Sequence, residues 1–429
     1  MLPSATSSAT PSSPTSSVLT GIWREAAAPH ASLLASVIIP AKDEASNLPA
    51  TLQALATQTD LHGQPLDFAS YEVLVLANNC KDRTAAVVHK FAQQHPSLAL
   101  YVAEVKLPPA EAHVGQARRL LMDEACRRLE SVAGATGIIA STDADTRVAP
   151  TWLAATLSEM KAGADAVGGR IFPEQPALQK CPVRRTHLHD AAYRLLRAHL
   201  EALLDPEPAD PWPRHHQHYG ASLALTVAAY RKVGGLPVVP FLEDEALWQA
   251  LRRHDLQLRH SPAVQVSTSA RYAGRVAVGL SWQLREWARM TRQQREPLVE
   301  SGAALAAEWT ARRKLRQLWE QAQQQHRSQW PSCVRLAAVL SVPSSQLARQ
   351  ITSAPTFGLL WEWVLKHRAV WRRGRVTTLS MAVKELRLLL AQCQQEETGL
   401  VGRATGLPVP QPLAPGQQIE PVLRRPMAV

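Results

Sequence analysis

The sequence predicts an α/β protein built on a mostly parallel sheet with helices on both faces. Three observations carry that prediction. Four short apolar runs are rich in Val, Ile and Leu, a helical period follows each run, and a polar loop closes each run at its carboxyl end. Strands alternating with helices of about 10–15 residues read as crossover units, and such units cover a parallel sheet on both sides.

The elements follow in order. SVIIP (Ser36–Pro40) is β-branched and closed by proline, so it reads as a buried strand. After the polar turn AKDEAS, residues 47–55 place Leu48, Leu52 and Leu55 on one helical face. YEVLVLA (71–77) is the second strand, followed by the loop NNCKDRT and a helix over 85–94. LALYVAEV (98–105) is the third, leading to the helix GQARRLLMDEACRRL, and GIIAS (137–141) is the fourth, ending at TDADTRVAP before the helix TWLAATLSEMKAG. Beyond Asp165 the pattern is mixed. ADAVGGRI reads as a strand, 180–205 as an amphipathic helix rich in His and Arg, and DPEPADPWPRHHQHYG as a proline-heavy turn. Residues 241–254 form an acidic loop entering a helix, and LRHSPAVQVSTSARYAGR one or two strands ending in an arginine loop. From Ser281 the chain reads as helical, with breaks near Pro331, Pro343 and Pro355.

A chain of 429 residues has room for two or three domains. The pattern divides it into a Ser/Thr/Pro-rich stretch at 1–34 expected to be disordered, an α/β domain at 35–280, a helical region at 281–400 and a Pro-rich tail at 401–429. No apolar run is long enough to span a bilayer, the first residues lack the pattern of a secretory signal, and five widely spaced cysteines form no C-x-x-C pair. These features favour a reducing cytoplasm over a disulfide framework or a thiolate zinc site.

The net charge of +11 is unevenly distributed. Residues 1–280 hold 26 Lys+Arg and 26 Asp+Glu, whereas 281–429 hold 21 and 10, together with eight of the twelve tryptophans. The simplest reading is a solvated helical surface with Trp in the core; peripheral contact with an anionic membrane face is the alternative. No nucleic-acid motif accompanies the charge, so nucleic acid is not expected as a partner.

Ligands of open α/β sheets bind beyond the carboxyl ends of the strands, where the polar loops converge. Asp143-Ala-Asp145 follows the fourth strand, and two carboxylates so close favour a hard divalent cation such as Mg²⁺ or Mn²⁺. Glu243-Asp244-Glu245 opens a helix; its acids suit the helix dipole, and beside an acceptor one of them can serve as general base. Arg271 and Arg275 flank a flexible turn and suit a diphosphate or surface ion pairs. In His215-His216-Gln217-His218 no pair has i, i+4 spacing, so a structural or acceptor-contacting role is expected rather than a second metal site.

As a set, VIIPAKDEASNL, VLANNCKDRTA, STDADTRVAPTWL, GASLALTVAAYRKVGGLP and FLEDEALWQALRRHD resemble glycosyltransferase family 2 on a GT-A fold, over residues 36 to 280. The resemblance implies that Pro40, Ala41, Lys42 and Glu44 line the base and ribose of a nucleotide, with His113 and Arg118 meeting it again. Where the family presents an acid to the base edge, this chain has Asn78 and Asn79, which leaves the nucleotide open. Asp143 and Asp145 match the metal pair, Asp145 being the more direct ligand; Asp244 matches the catalytic base, with Glu243 beside it. Tyr219–Ser222 fall where the acceptor or sugar pocket is lined.

The expected reaction is metal-dependent, inverting transfer of a sugar from a UDP- or GDP-linked donor to a hydroxyl of a glycan, lipid or small metabolite. Two alternatives compete. A nucleotidyltransferase normally carries a glycine-rich loop after its first strand, which PAKDEASNL lacks. A non-catalytic scaffold docked through the basic C-terminal region is the other, and retention of both acidic motifs argues against it.

Overall fold

The computed structural model describes residues 23, 26–174, 184–269, 280–325, 330–368 and 375–405. The readings made for residues 1–22, for the end of the tail from 406, and for the loop carrying Arg271 and Arg275 lie outside the described residues.

The first half alternates as expected: β1 (Ala35–Ala41), α1 (Leu48–Ala56), β2 (Tyr71–Asn78), α2 (Thr84–Gln94), β3 (Ala99–Val105), α3 (Val114–Glu130), β4 (Ile138–Ser141), β5 (Thr146–Val148), α4 (Trp152–Lys161) and β6 (Ala166–Pro173). Then come α5 (Arg184–Leu204), β7 (Leu223–Thr226), α6 (Val227–Lys232), α7 (Glu243–Arg253) and β8 (Leu258–Thr268). The eight strands form one sheet in the order β3-β2-β1-β4-β7-β6-β8-β5. β1 pairs in parallel with both β2 and β4, and β2 with β3. The sheet is not parallel throughout: β7 runs antiparallel between β4 and β6, and the three-residue β5 runs antiparallel to β8.

The central strands are apolar because both faces are covered. Val37, Ile39, Val73 and Val75 point into one core layer, and Ile38, Leu74 and Leu76 into the other, the period-2 alternation of a strand sandwiched by helices. One charged pair interrupts the second layer. Arg128 of α3 donates to both oxygens of Glu72 on β2 at 2.6–3.0 Å, and the Ser36 hydroxyl donates to the same carboxylate at 2.7 Å.

The remaining elements are α8 (Leu280–Arg292), β9 (Leu298–Glu300), α9 (Gly302–Gln325), α10 (Trp330–Leu340), α11 (Ser344–Ser353), α12 (Phe357–His367), β10 (Val376–Thr378) and α13 (Leu379–Thr405). β9 and β10 pair antiparallel, a small ribbon that the helical reading of this region did not contain. α9 to α12 share one apolar cluster, while α5 joins α9 and α13 in another through Tyr193, Leu200, Trp309 and Leu386. The C-terminal helices are held to the first half by charge as well. Buried Arg312 of α9 reaches Glu201 and Asp205 at the end of α5, and Asp255, just past α7, accepts the Phe357 and Gly358 N–H groups that open α12, at 2.6 and 2.7 Å. Among the described residues, no helix is long and apolar enough to cross a membrane.

Candidate active site

The sheet reverses its strand order between β1 and β4, and the loops that follow those two strands flank the crevice this creates. The loop after β1 is fastened to the loop after β2. Asp43, in the left-handed region at φ 52°, accepts the Lys81 N–H at 2.6 Å, and Asp82 accepts the N–H groups of Ala45 and Thr84 at 3.0 Å. Asp43, Cys80 and Asp82 bring their side-chain donor atoms within 4.8 Å of one another. Backbone N–H groups already bind both carboxylates, and burial pushes the Cys80 thiol up, away from the thiolate a metal prefers. The group therefore works as a clasp between loops. The sequence reading missed it because its partners lie nearly forty residues apart.

Within this frame Pro40 and Ala41 end β1, and Lys42 and Glu44 follow in the clasped loop. Glu44 is buried and accepts from Asn47 at 2.6 Å. Asn78 ends β2 with its Oδ1 buried and bonded to nothing among the described residues, while Asn79 exchanges two 2.9 Å bonds with the backbone of Leu107. His113 caps α3, its Nδ1 accepting the Gln116 N–H at 3.2 Å.

Arg118, one turn into α3, is the hub of the acidic group. Its guanidinium donates to Asp143 at 2.7 Å and to Glu243, and it is almost wholly buried. Asp143 retains 38% accessibility, yet protein surrounds it at longer range and thins the water that could solvate its charge. Its carboxyl is raised to about 6 by that desolvation and by the carboxylates of Asp145 and Asp244, against the opposing pull of Arg118. Asp145 lies in the same turn, between β4 and β5. Asp244 enters from α7: its Oδ2 accepts the Gly220 N–H at 2.8 Å, and its Oδ1 the Glu245 N–H at 2.8 Å. Leu242, at φ 59°, turns the chain sharply into that helix. Gly220–Ser222 is pinned from beneath, by Ser141 Oγ on the Gly220 carbonyl and Trp152 Nε1 on Ser222 Oγ.

The structure thus brings together Arg118, Asp143, Asp145, Glu243 and Asp244. The HHQH segment lies beside this group. His215 bonds the Ser261 carbonyl at 3.0 Å, and Gln217 pairs with both backbone groups of Ile171. His218 continues a chain the sequence did not reveal: Asp210 to His260 at 2.7 Å, His260 to His218 at 3.4 Å, and His218 to Glu245 at 2.8 Å. His218 also stacks on Trp248, with ring centroids 4.6 Å apart. The bond from His218 lowers the Glu245 carboxyl to about 2.

Residues 36–213 match the family model described as glycosyl transferase family 2. Over that stretch the chain is similar to family 2 glycosyltransferases. No curated protein matches it. Among solved structures, a mannosyltransferase from Pyrobaculum calidifontis in complex with GDP-Man and Mn²⁺ is 16% identical, with 85% of this chain and 87% of that one covered and a TM-score of 0.39. S. aureus TarS in complex with UDP-GlcNAc is 13% identical, covering 80% of this chain and 93% of its own, with a TM-score of 0.40. Likenesses at these scores carry no argument about a ligand, which is read instead from the residues of this chain.

Proposed function

We propose that this protein moves a sugar from a UDP- or GDP-linked donor to an acceptor hydroxyl with inversion, in a metal-dependent single displacement. The observation that carries the reading is the meeting of Asp143 and Asp145 with Glu243 and Asp244 at the point where the strand order reverses, in a chain whose residues 36–213 match the family. Residues 35–280 form the catalytic domain in this reading, and 281–400 a helical region attached to it.

The acidic group suits a hard divalent cation. Its donors are carboxylate oxygens, and the Asp143 carboxyl is raised by burial first and then by the neighbouring Asp145 and Asp244 carboxylates, against the pull of Arg118. Asp143 and Asp145 would hold Mg²⁺ or Mn²⁺, which supplies charge neutralisation to the departing nucleoside diphosphate. Arg118 fixes the spacing between Asp143 and Glu243 by bonding both. In this reading Asn78, at the end of β2 with its Oδ1 unbonded among the described residues, is the group that would accept an N–H from the base. Asp244 takes the proton of the acceptor hydroxyl; the oxygen attacks the anomeric carbon, and the bond to the diphosphate breaks on the opposite face. Two backbone N–H groups hold the Asp244 carboxylate in one orientation, so little reorganisation is needed as the proton transfers.

The test is a donor screen with the full-length protein. Hydrolysis of UDP-, GDP- and dTDP-sugars is followed by nucleoside diphosphate release with Mn²⁺ or Mg²⁺, and sugar binding by calorimetry. At least one donor is expected to bind and turn over, and Asp244→Asn to lower turnover by about 10²–10⁴-fold with nucleotide affinity retained. A protein that neither binds nor hydrolyses any of these donors overturns the reading.

A further inference from the structure

Beside Asp244 a cleft of about 940 Å³ runs between the catalytic half and the C-terminal helices. That volume lies within the range of small-molecule sites. His218, Tyr219 and Glu245 line one side, and α9 and α12 close the other. Tyr219 and Glu245 are chain neighbours of the bonded pair Gly220 and Asp244, so the inner end of the cleft opens next to that carboxylate.

The charges around the cleft do not cancel evenly. Its deep acids are matched: Glu201 by Arg214 and Arg312, Asp210 by Arg214, Arg259 and His260, and Glu207 by Arg312 and Arg316. Glu245 bonds His218, Glu308 pairs with Arg368, Glu362 with Arg253, and Asp255 is taken up by the start of α12. Exposed Glu320 remains. Against it stand three arginines from three helices. Arg197 of α5 and Arg313 of α9 have no carboxylate within ion-pair reach among the described residues, and Arg252 of α7 meets Glu207 only at 3.8 Å; Arg197 and Arg252 feel Glu201 at longer range, but that one carboxylate is already paired with Arg214 and Arg312. His216 lines the same cleft, with its Nδ1 buried and unbonded among the described residues.

We propose that this cleft is the acceptor site, and that its acceptor carries a phosphate or carboxylate gripped by Arg197, Arg252 and Arg313 while a hydroxyl of the same molecule reaches Asp244. Guanidinium forks match the oxygens of either anion, and the three arginines line one cleft from three different helices. His216 adds a ring nitrogen for a neighbouring hydroxyl. The inference rests on the transferase reading of Asp244, and it gives the C-terminal helices a part in the site: without α9 and α12 the cleft has one wall.

Calorimetric titration of the full-length protein with glucose, glucuronate and glucose 6-phosphate tests it, the three probes differing in charge on one hexose frame. At least one charged hexose is expected to bind about ten-fold or more tightly than glucose, and phosphate against carboxylate separates the two anions. Arg197→Gln and Arg313→Gln, both at exposed positions where folding is safe, are each expected to weaken that binding severalfold and leave UDP and GDP affinity within about two-fold. Equal affinity for the three hexoses, no binding of any, or indifference to both substitutions overturns the proposal. Failure of the unmodified protein to bind UDP or GDP counts separately, against the transferase reading.

Discussion

Arg118 is confined on every side that matters. Two carboxylates hold its guanidinium, and a Cβ built on Gly220 would lie 2.4 Å from its Cζ. Because the arginine is pinned, Gly220→Ala has to displace it or the turn that donates to Asp244. The expected result is loss of about 1–3 kcal/mol of stability in urea unfolding, with turnover falling further than nucleotide affinity. A second prediction concerns pH. The folded Glu245 carboxyl is lowered from 4.5 to about 2 by its bond from His218, so that bond contributes stability above about pH 4.5 and loses it as the pH falls towards 2. The melting temperature of Glu245→Gln should lie below that of the unmodified protein at pH 6 and converge with it near pH 2. At this scale the sequence was partly legible. Asp143, Asp145 and Asp244 stand in short acidic motifs that can be read in line, whereas the bond from His218 to Glu245 spans 27 residues and leaves no spacing to read.

Among elements, the strongest local commitment is the pair of Arg128 and Glu72, each 2% accessible at the side chain. It ties α3 to β2 and, through Ser36, to β1. Arg128→Met leaves a buried carboxylate facing only a hydroxyl, so equilibrium unfolding should show a loss of about 3–5 kcal/mol. β1 to β4 could be placed from sequence because central parallel strands bury both faces and so appear as unbroken Val/Ile/Leu runs. β5, β9 and β10 could not. Each is three residues long, too short for a period, and exists only because a distant strand offers its edge. The antiparallel course of β7 was hidden as well: direction is decided by where the chain returns, and a run such as LALT looks alike either way.

Across the whole molecule, the basic charge of the C-terminal third is partly spent on docking. Arg312 and Arg316 converge on fully buried Asp205, and Arg312 also reaches Glu201. A single calorimetric transition is expected for the intact chain. Arg312→Met strands those acids against weaker partners and should cost about 3–5 kcal/mol, separating an earlier transition of the C-terminal helices from that of the sheet. The sequence showed an excess of cations but not what they meet, because Glu201 and Asp205 lie over a hundred residues upstream.

Helix α7 is eleven residues long, about 16 Å from end to end. Asp244 stands at its beginning and the seat of α12 just past its finish. Anyone grafting these terminal helices onto another protein of this fold would therefore have to cut the gene upstream of Leu242 and bring the helix along. A splice placed at the apparent border near residue 280 would leave the host protein's own rod between a foreign cap and the end that carries Asp244, with nothing to set its height.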